Sequence, residues 1–183
     1  VGIGFAICKE LAKEGAEVIF TSRSKKSVLN SEKLLKKINP RCYGFVCDVS
    51  KKNSRSSFLK KLKKKRKMPD IIVNNVGDTL NVLNPYCDIA DWIKLFNLIL
   101  GTAIEINNFC IPSMSKKKWG RIINLSSIGG QWGGINQIHY ASSKAGLIGL
   151  TKSLGKTYST YGITTNAIAP GLVATEMSSN ELA

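Results

Sequence analysis

Apolar positions along the chain alternate between a helical and a strand-like rhythm. Ile3, Ile7 and Leu11 recur at helical spacing, and Gly15 follows them as a stop. Ala16 to Thr21 is then a short β-branched and aromatic run with strand character. A Lys-rich helical stretch from about Ser27 to Ile38 ends before Pro40, because a residue preceding proline is pushed out of the helical region. Cys42 to Cys47 gives strand again, and Phe58, Leu59 and Leu62 supply the apolar face of the next helix. Ile71-Ile72-Val73 predicts a strand, Asp88 to about Met114 a long helix, and Arg121 to Leu125 a buried strand. Tyr140 to about Tyr158 returns to helix, and Thr164 to Ala169 to strand, ahead of Pro170-Gly171.

The strand segments are apolar throughout rather than alternating, which marks strands covered on both faces, and the helices between them fit parallel pairing. The expected fold is α/β: a doubly wound, Rossmann-like parallel sheet with helices on both faces. A chain of 183 residues without internal repeat or low-complexity linker is expected to form one domain over 1–183. Such sheets bind ligands at the carboxyl ends of their strands, so the residues just after each strand are the candidates for chemistry.

Composition narrows the class. Hydrophobic residues at 43% and charged residues at 21% exclude a disordered chain. No apolar run is long enough to span a bilayer, and Val1-Gly2-Ile3-Gly4 lacks the basic flank of a signal peptide, so no membrane association and a cytoplasmic location are expected. Cys8, Cys42, Cys47, Cys87 and Cys110 are odd in number, form no Cys-x-x-Cys pair and sit mostly in apolar runs. That pattern predicts reduced core thiols rather than disulfides, and no metal site.

Lys and Arg number 27 against 12 for Asp and Glu, a formal charge of +15, so acidic partners enter consideration. Much of the excess sits in Lys60, Lys61, Lys63, Lys64, Lys65, Arg66 and Lys67. A solvated helix end, whose cations complement the C-terminal dipole, accounts for this block better than nucleic-acid binding, because no aromatic residue interleaves it.

The strand ends carry the candidate chemistry. Gly2-Ile3-Gly4 opens the first helix, where glycines let backbone amides approach a pyrophosphate. Ser22 and Arg23 follow the second expected strand of such a fold, where the adenosine ribose is contacted; a hydroxyl followed by a guanidinium suits a 2′-phosphate, so NADP(H) is preferred over a possible NAD(H). Asp48 ends the next strand, Asn74-Asn75-Val76-Gly77 the one after, and Asn124-Leu125-Ser126-Ser127 the next, followed by Tyr140-Ala141-Ser142-Ser143-Lys144. Tyr140 and Lys144 stand at i and i+4 of a helix and so share a face. A phenol near pKa ~10 needs a nearby positive charge to act at neutral pH, and the ammonium supplies one.

These elements in this order resemble the short-chain dehydrogenase/reductase family, whose signature is an Asn-Asn-Ala-Gly element, a strand-end Ser and Tyr-x-x-x-Lys. Ile163 to Gly171 is similar to the sixth strand and cofactor turn of its 3-oxoacyl-[acyl-carrier-protein] reductase-like members. The resemblance implies an NADP-dependent oxidoreductase that moves a hydride between cofactor and a carbonyl or alcohol, with a small or carrier-bound carbonyl compound such as a 3-oxoacyl thioester as substrate. It implies Ser127, Tyr140 and Lys144 as catalytic residues. As cofactor contacts it implies Gly2, Ile3, Gly4, Ser22, Arg23, Asp48, Asn75, Gly77, Tyr140, Lys144, Pro170, Gly171, Val173 and Thr175. An acidic acyl carrier protein as partner, and a homo-tetramer or homo-dimer built on the two long helices, follow from the same resemblance. Gln131 and Trp132 fall where family members line the substrate pocket, whereas His139 is expected off the catalytic face.

Two departures stand out. Where the family carries an Asn after its common Trp, Trp92 is followed at the matching place by Ile99; Asn97 lies nearby on a different side of the helix. A catalytically impaired cofactor-binding homologue or fragment is therefore the alternative. The family pattern also opens with a strand and a Thr-Gly-x-x-x-Gly-x-Gly turn, and this chain starts inside that turn and stops at Ala183. A partial domain lacking the first strand and the C-terminal elements is expected.

Overall fold

The computed structural model describes residues 2–65, 67–77 and 88–174. Its elements are α1 (Ile3–Lys13), β1 (Val18–Ser22), α2 (Lys25–Lys36), β2 (Cys42–Val46), α3 (Lys52–Lys64), β3 (Ile71–Asn74), α4 (Ile89–Phe96), α5 (Thr102–Lys117), β4 (Gly120–Leu125), α6 (Ile128–Trp132), α7 (Ile138–Tyr158) and β5 (Ile163–Ile168). Contacts divide the chain into two compact units, Val1–Lys60 with Leu172–Ala183, and Lys61–Gly171. Among the described residues all strand pairs are parallel, as helix-separated strands require.

In the first unit β1 pairs with β2, Val18 opposite Cys42 through to Ser22 opposite Val46. Ala12, Val18, Leu35 and Cys42 form its core, with Phe5, Cys8, Leu11 and Phe20 packed around them. Gly44 permits the close seating of α2: a Cβ there would lie 2.6 Å from Val28 Cγ1 and 2.8 Å from the Phe20 ring. Alternate strand residues point to the opposite face, where Phe45 meets Phe58 of α3 edge-on at 5.5 Å. Helices thus lie on both faces of this sheet, the doubly wound arrangement. Helix α2 starts earlier than its apolar spacing alone suggests, because Ser24 caps it by accepting the Ser27 N–H at 3.1 Å.

In the second unit the strand order is β3-β4-β5. Ile72, Ile122 and Ile163 pack with Cys110, Ile111 and Met114 of α5, and Leu154 and Tyr158 of α7 close over them. A further cluster joins Leu95, Ile99 and Ala103 to Leu147 of α7.

The long helix expected from Asp88 to Met114 is present but not uniform. Asn97–Gly101 forms one wide, π-helical turn between α4 and α5, in which the Thr102 N–H reaches back to Asn97 O. The Thr102 hydroxyl shares that carbonyl at 3.4 Å. The glycine-rich segment after Ser127 contains the short helix α6, which the apolar spacing does not predict: the Ser127 hydroxyl accepts the Gly129 N–H at 3.1 Å and supplies the cap. Glycine's poor helix propensity hid that element. Lys60, Lys61, Lys63, Lys64 and Lys65 are exposed around the end of α3 while Leu59 and Leu62 are buried, the pattern of a solvated helix end.

Candidate active site

The carboxyl end of β4 is fastened to α7 by consecutive residues. The Asn124 amide donates to Thr151 Oγ1 at 2.8 Å, Leu125 O accepts from Lys144 Nζ at 2.7 Å, and the Ser126 hydroxyl donates to Lys144 O at 2.8 Å. Lys144 also donates to Val76 O, just past the end of β3, at 3.0 Å. Its ammonium has three protons, so two of them are committed to main-chain carbonyls. Tyr140, one helical turn earlier, is half-buried, and its ring centroid lies 5.8 Å from Lys144 Nζ.

The adjacent serines have different tasks. Ser126 is buried and its hydroxyl is taken by α7, whereas Ser127 is only half-buried at the start of α6. Of the two hydroxyls, that of Ser127 is the less enclosed. Helix α6 approaches α7 where Gly130 lies: a Cβ there would come within 2.8 Å of the Lys144 carbonyl carbon, its Cβ and Ser126 Oγ. Gly77 lies over the same lysine, with a Cβ at that position 3.4 Å from Nζ. Asn75 is half-buried between β3 and Val76, and Pro170 O accepts the Ile128 N–H at 2.9 Å, tying the turn after β5 to α6.

Burial pushes the Lys144 ammonium from an ordinary 10.5 down to about 8. Below about pH 8 folded and unfolded chains both hold this proton, and the cost of burying the charge is fully present. Between about 8 and 10.5 the unfolded chain holds more of it, so this group makes stability rise with pH, by about 3 kcal/mol in all. Thermal midpoints of the wild type and Lys144→Met compared between these limits should therefore diverge in slope, the wild type gaining. Parallel slopes would show that Lys144 titrates as a solvated lysine.

The first unit holds the other set of sequence-predicted residues. Gly2 precedes α1 with nothing within 4 Å of where a Cβ would stand, and Ile3 and Gly4 form the first turn. That helix has no side-chain cap and no acidic residue in its first turn, so its amide dipoles are open to an anion. Ser22 ends β1, its carbonyl accepting the Cys47 N–H at 2.9 Å, and Arg23 follows, exposed. The Asp48 carboxyl is held below its ordinary value chiefly by the Ser50 hydroxyl at 2.6 Å, with the Ser50 N–H, Lys51 and Arg23 adding to the effect. Val173 is exposed, and Thr175 lies outside the described residues, as do Cys87 and Arg66. Within this unit, a helix start without a side-chain cap and a strand-end guanidinium are donors of the kind that suit a phosphorylated dinucleotide.

Ile99 is 1% exposed, packed against Leu147 beside Tyr140, while Asn97 is exposed on another side of the turn. Gln131 and Trp132 are both exposed at the end of α6. His139 is buried at the start of α7, its ring 6.3 Å from Trp92. Cys8, Cys42, Cys47 and Cys110 are in no disulfide among the described residues, and burial raises Cys8 to about 11 and Cys110 to about 12. The residues that sequence reasoning passed over are Asn107 and Thr151, polar positions buried among the apolar faces of α5 and α7. Their signal was a lone amide or hydroxyl inside an otherwise apolar stripe. Among the described residues no helix is long and apolar enough to cross a membrane.

The sequence pattern of the family described as short chain dehydrogenase matches residues 1–183. The 3-oxoacyl-[acyl-carrier-protein] reductase FabG of Haemophilus influenzae is 36% identical over 176 residues, covering 96% of this chain and 72% of that protein. The acetoacetyl-CoA reductase of Cupriavidus necator is 33% identical over 179 residues, covering 96% of this chain and 72% of its own length. Among solved structures, an NAD+-bound xylitol dehydrogenase superposes with a TM-score of 0.84 at 22% identity, over 94% of this chain and 67% of that one, a likeness of fold.

Proposed function

Since the chain belongs to the short chain dehydrogenase family, an oxidoreductase family, we propose that it is an NADPH-dependent carbonyl reductase acting on 3-oxoacyl thioesters. The observation that carries this reading is the placement of Tyr140 one turn from a buried Lys144 whose ammonium is fixed by Leu125 O and Val76 O. When bound, the nicotinamide cofactor supplies the hydride. Ser127 holds the carbonyl oxygen of the substrate, and the Tyr140 hydroxyl gives its proton to that oxygen as negative charge builds there. Lys144, positive and shielded from water, favours the phenolate that Tyr140 becomes. Gly2, Ile3, Gly4, Asp48, Asn75, Gly77, Pro170, Gly171, Val173 and Thr175 serve the cofactor, and 1–183 acts as one nicotinamide-binding domain.

The substrate class rests on the 3-oxoacyl and acetoacetyl thioester reductases to which the chain is similar. A formal charge of +15 suits an acidic carrier protein as the donor of that thioester. The reduced, buried thiols fit a cytoplasmic setting. Half-buried Leu98, Leu100 and Leu150 and exposed Ile104 along the π turn, α5 and α7 support association into a dimer or tetramer.

Preference for NADP(H) rests on Ser22-Arg23 in place of an acid at the end of β1. The test is cofactor oxidation with acetoacetyl thioesters in the wild type and Arg23→Ala. The variant should lose roughly tenfold or more in NADPH affinity, the worth of a charged hydrogen bond, with NADH little changed. Equal loss for both cofactors would overturn the NADP assignment. Failure of the wild type to oxidise either cofactor across a panel of 3-oxoacyl thioesters would overturn the substrate class.

A further inference from the structure

Behind Lys144 lies a chain of buried polar side chains that the reaction does not use. The Asn74 amide donates both to Asn107 Oδ1 of α5 at 3.2 Å and to Asn124 Oδ1 of β4 at 2.8 Å. The Asn124 amide donates to Thr151 Oγ1 of α7 at 2.8 Å, and the Thr151 hydroxyl donates to Leu147 O at 2.7 Å. All four residues are buried. From Asn74 one donation therefore goes to α5, and the others run through Asn124 toward α7. On the same sheet face Ile72 and Ile122, two residues earlier on β3 and β4, are ordinary apolar core. The switch to amides occurs only at the carboxyl ends of these strands. Apolar residues would fill that space at lower desolvation cost, so an amide chain here serves geometry more than stability. Asn107 Nδ2 finds no partner among the described residues, which is a further cost the arrangement tolerates.

Asn74 and Asn124 are directly paired across β3 and β4. Val76 and Leu125, which follow them, present the two carbonyls that hold Lys144 Nζ. Thr151 stands on the same helix as Lys144 and, seven residues on, on the same face, so α7 is tied to the end of β4 at that lysine and again two turns beyond it. We propose that the side-chain chain Asn107-Asn74-Asn124-Thr151 positions Lys144, with Thr151 as a positioning residue, by holding the Val76 and Leu125 carbonyls at fixed places against α7.

This inference rests on the catalytic reading of Lys144, but its consequence is also a property of the lysine itself. Loosening the clamp admits water to the ammonium, whose depressed affinity for protons is due to burial. Few other charges reach it. On its own helix Tyr140 is the titratable neighbour, at 5.8 Å from ring centroid to Nζ, with His139 beside it in sequence. The segment 71–77 has no titratable residue, 120–130 has only Arg121 at the opposite end of β4, the π turn has none, α4 has Asp91 and Lys94, and α5 has Glu105 and the buried thiol Cys110 before its terminal lysines.

The experiment follows the side-chain carbon NMR shift of Lys144 against pH, assigned by its disappearance in Lys144→Met, together with the pH profile of turnover. In Thr151→Val the Lys144 midpoint should move up from about 8 by about half a unit or more, and the pH profile should move with it. Thr151→Ser, which restores the hydroxyl, should return both to wild type. Asn107→Leu, which removes the far end of the chain together with its unbonded amide, should move the midpoint in the same direction, and it serves if Thr151→Val does not fold. Thr165→Val is the control for stability alone: it deletes the 2.6 Å bond from β5 to Thr151 O outside the chain, and should lower the thermal midpoint while leaving Lys144 in place. An unshifted Lys144 in folded Thr151→Val or Asn107→Leu overturns the positioning role. A shifted lysine in a protein that reduces no carbonyl would instead uphold the positioning and remove the enzyme reading.

Discussion

Tyr140→Phe is expected to lower carbonyl reduction by roughly 10²–10⁴-fold, the usual contribution of a general acid, with cofactor binding retained. The substitution deletes only the hydroxyl. The ring is packed against the cluster of Leu95, Ile99, Ala103 and Leu147, and a phenylalanine makes the same apolar contacts. Lys144 keeps both of its carbonyl partners, because neither involves Tyr140. A fall in kcat without loss of cofactor affinity, read by cofactor fluorescence or by stabilisation on binding, would therefore report the missing proton alone. Turnover at the wild-type rate would mean that another group supplies the proton. The Lys144 role would then need reassignment as well, since it is defined by what the ammonium does for Tyr140.

The largest loss of stability is expected at Gly162, far from that chemistry. It adopts φ +72 in the turn before β5, where a side chain is strained whatever the space. Space is also lacking: a Cβ would fall on the Lys118 carbonyl oxygen and lie 2.7 Å from its carbonyl carbon. Lys118 is itself left-handed, at φ 54, so two reversed turns, one leading into β4 and one into β5, are pressed together. The Gly162 carbonyl accepts the Gly120 N–H at 3.3 Å and starts the β4–β5 ladder. Gly162→Ala combines left-handed strain with overpacking against backbone, each of order 1–3 kcal/mol, for a total of about 2–6 kcal/mol. Domains of this kind hold only about 5–15 kcal/mol, so the thermal midpoint should fall steeply. Lys118→Gly relieves its own reversed backbone without touching the contact and is the matched control, expected to be neutral or slightly stabilising. A Gly162→Ala midpoint equal to wild type would show that the two turns separate freely.

How much of this was legible in advance depended on whether a feature is local. The strands could be read because β-branched runs such as Ile71-Ile72-Val73 carry their own signal, and Tyr140 and Lys144 because a helix repeats at a fixed spacing. The preference for Ser127 over Ser126 came from position alone, because the bond that occupies the Ser126 hydroxyl, its donation to Lys144 O, joins residues far apart in sequence. Helix α6 stayed hidden because Gly129 and Gly130 are poor helix formers, kept there by the Ser127 cap and by a contact with α7 that no larger residue at 130 would allow. The amide chain was beyond reach for a different reason. Asn74 and Asn107 are distant in sequence, and only the packing of α5 on β3 brings them together.

The wide turn at Asn97–Gly101 has a consequence for the seam between α4, α5 and α7. Leu95, Ile99 and Ala103 follow one another at intervals of four, and in a regular α-helix each such step rotates the side chain by about 40° around the axis. Over two steps the row would veer away from Leu147. A turn closed by a bond to the fifth residue back winds more slowly, which takes out part of that rotation and keeps the three side chains on one line. In the language of periodic structures the turn is a phase correction: a single irregular bond lets α4 and α5 face α7 along a straight seam, and Tyr140 rests on that seam.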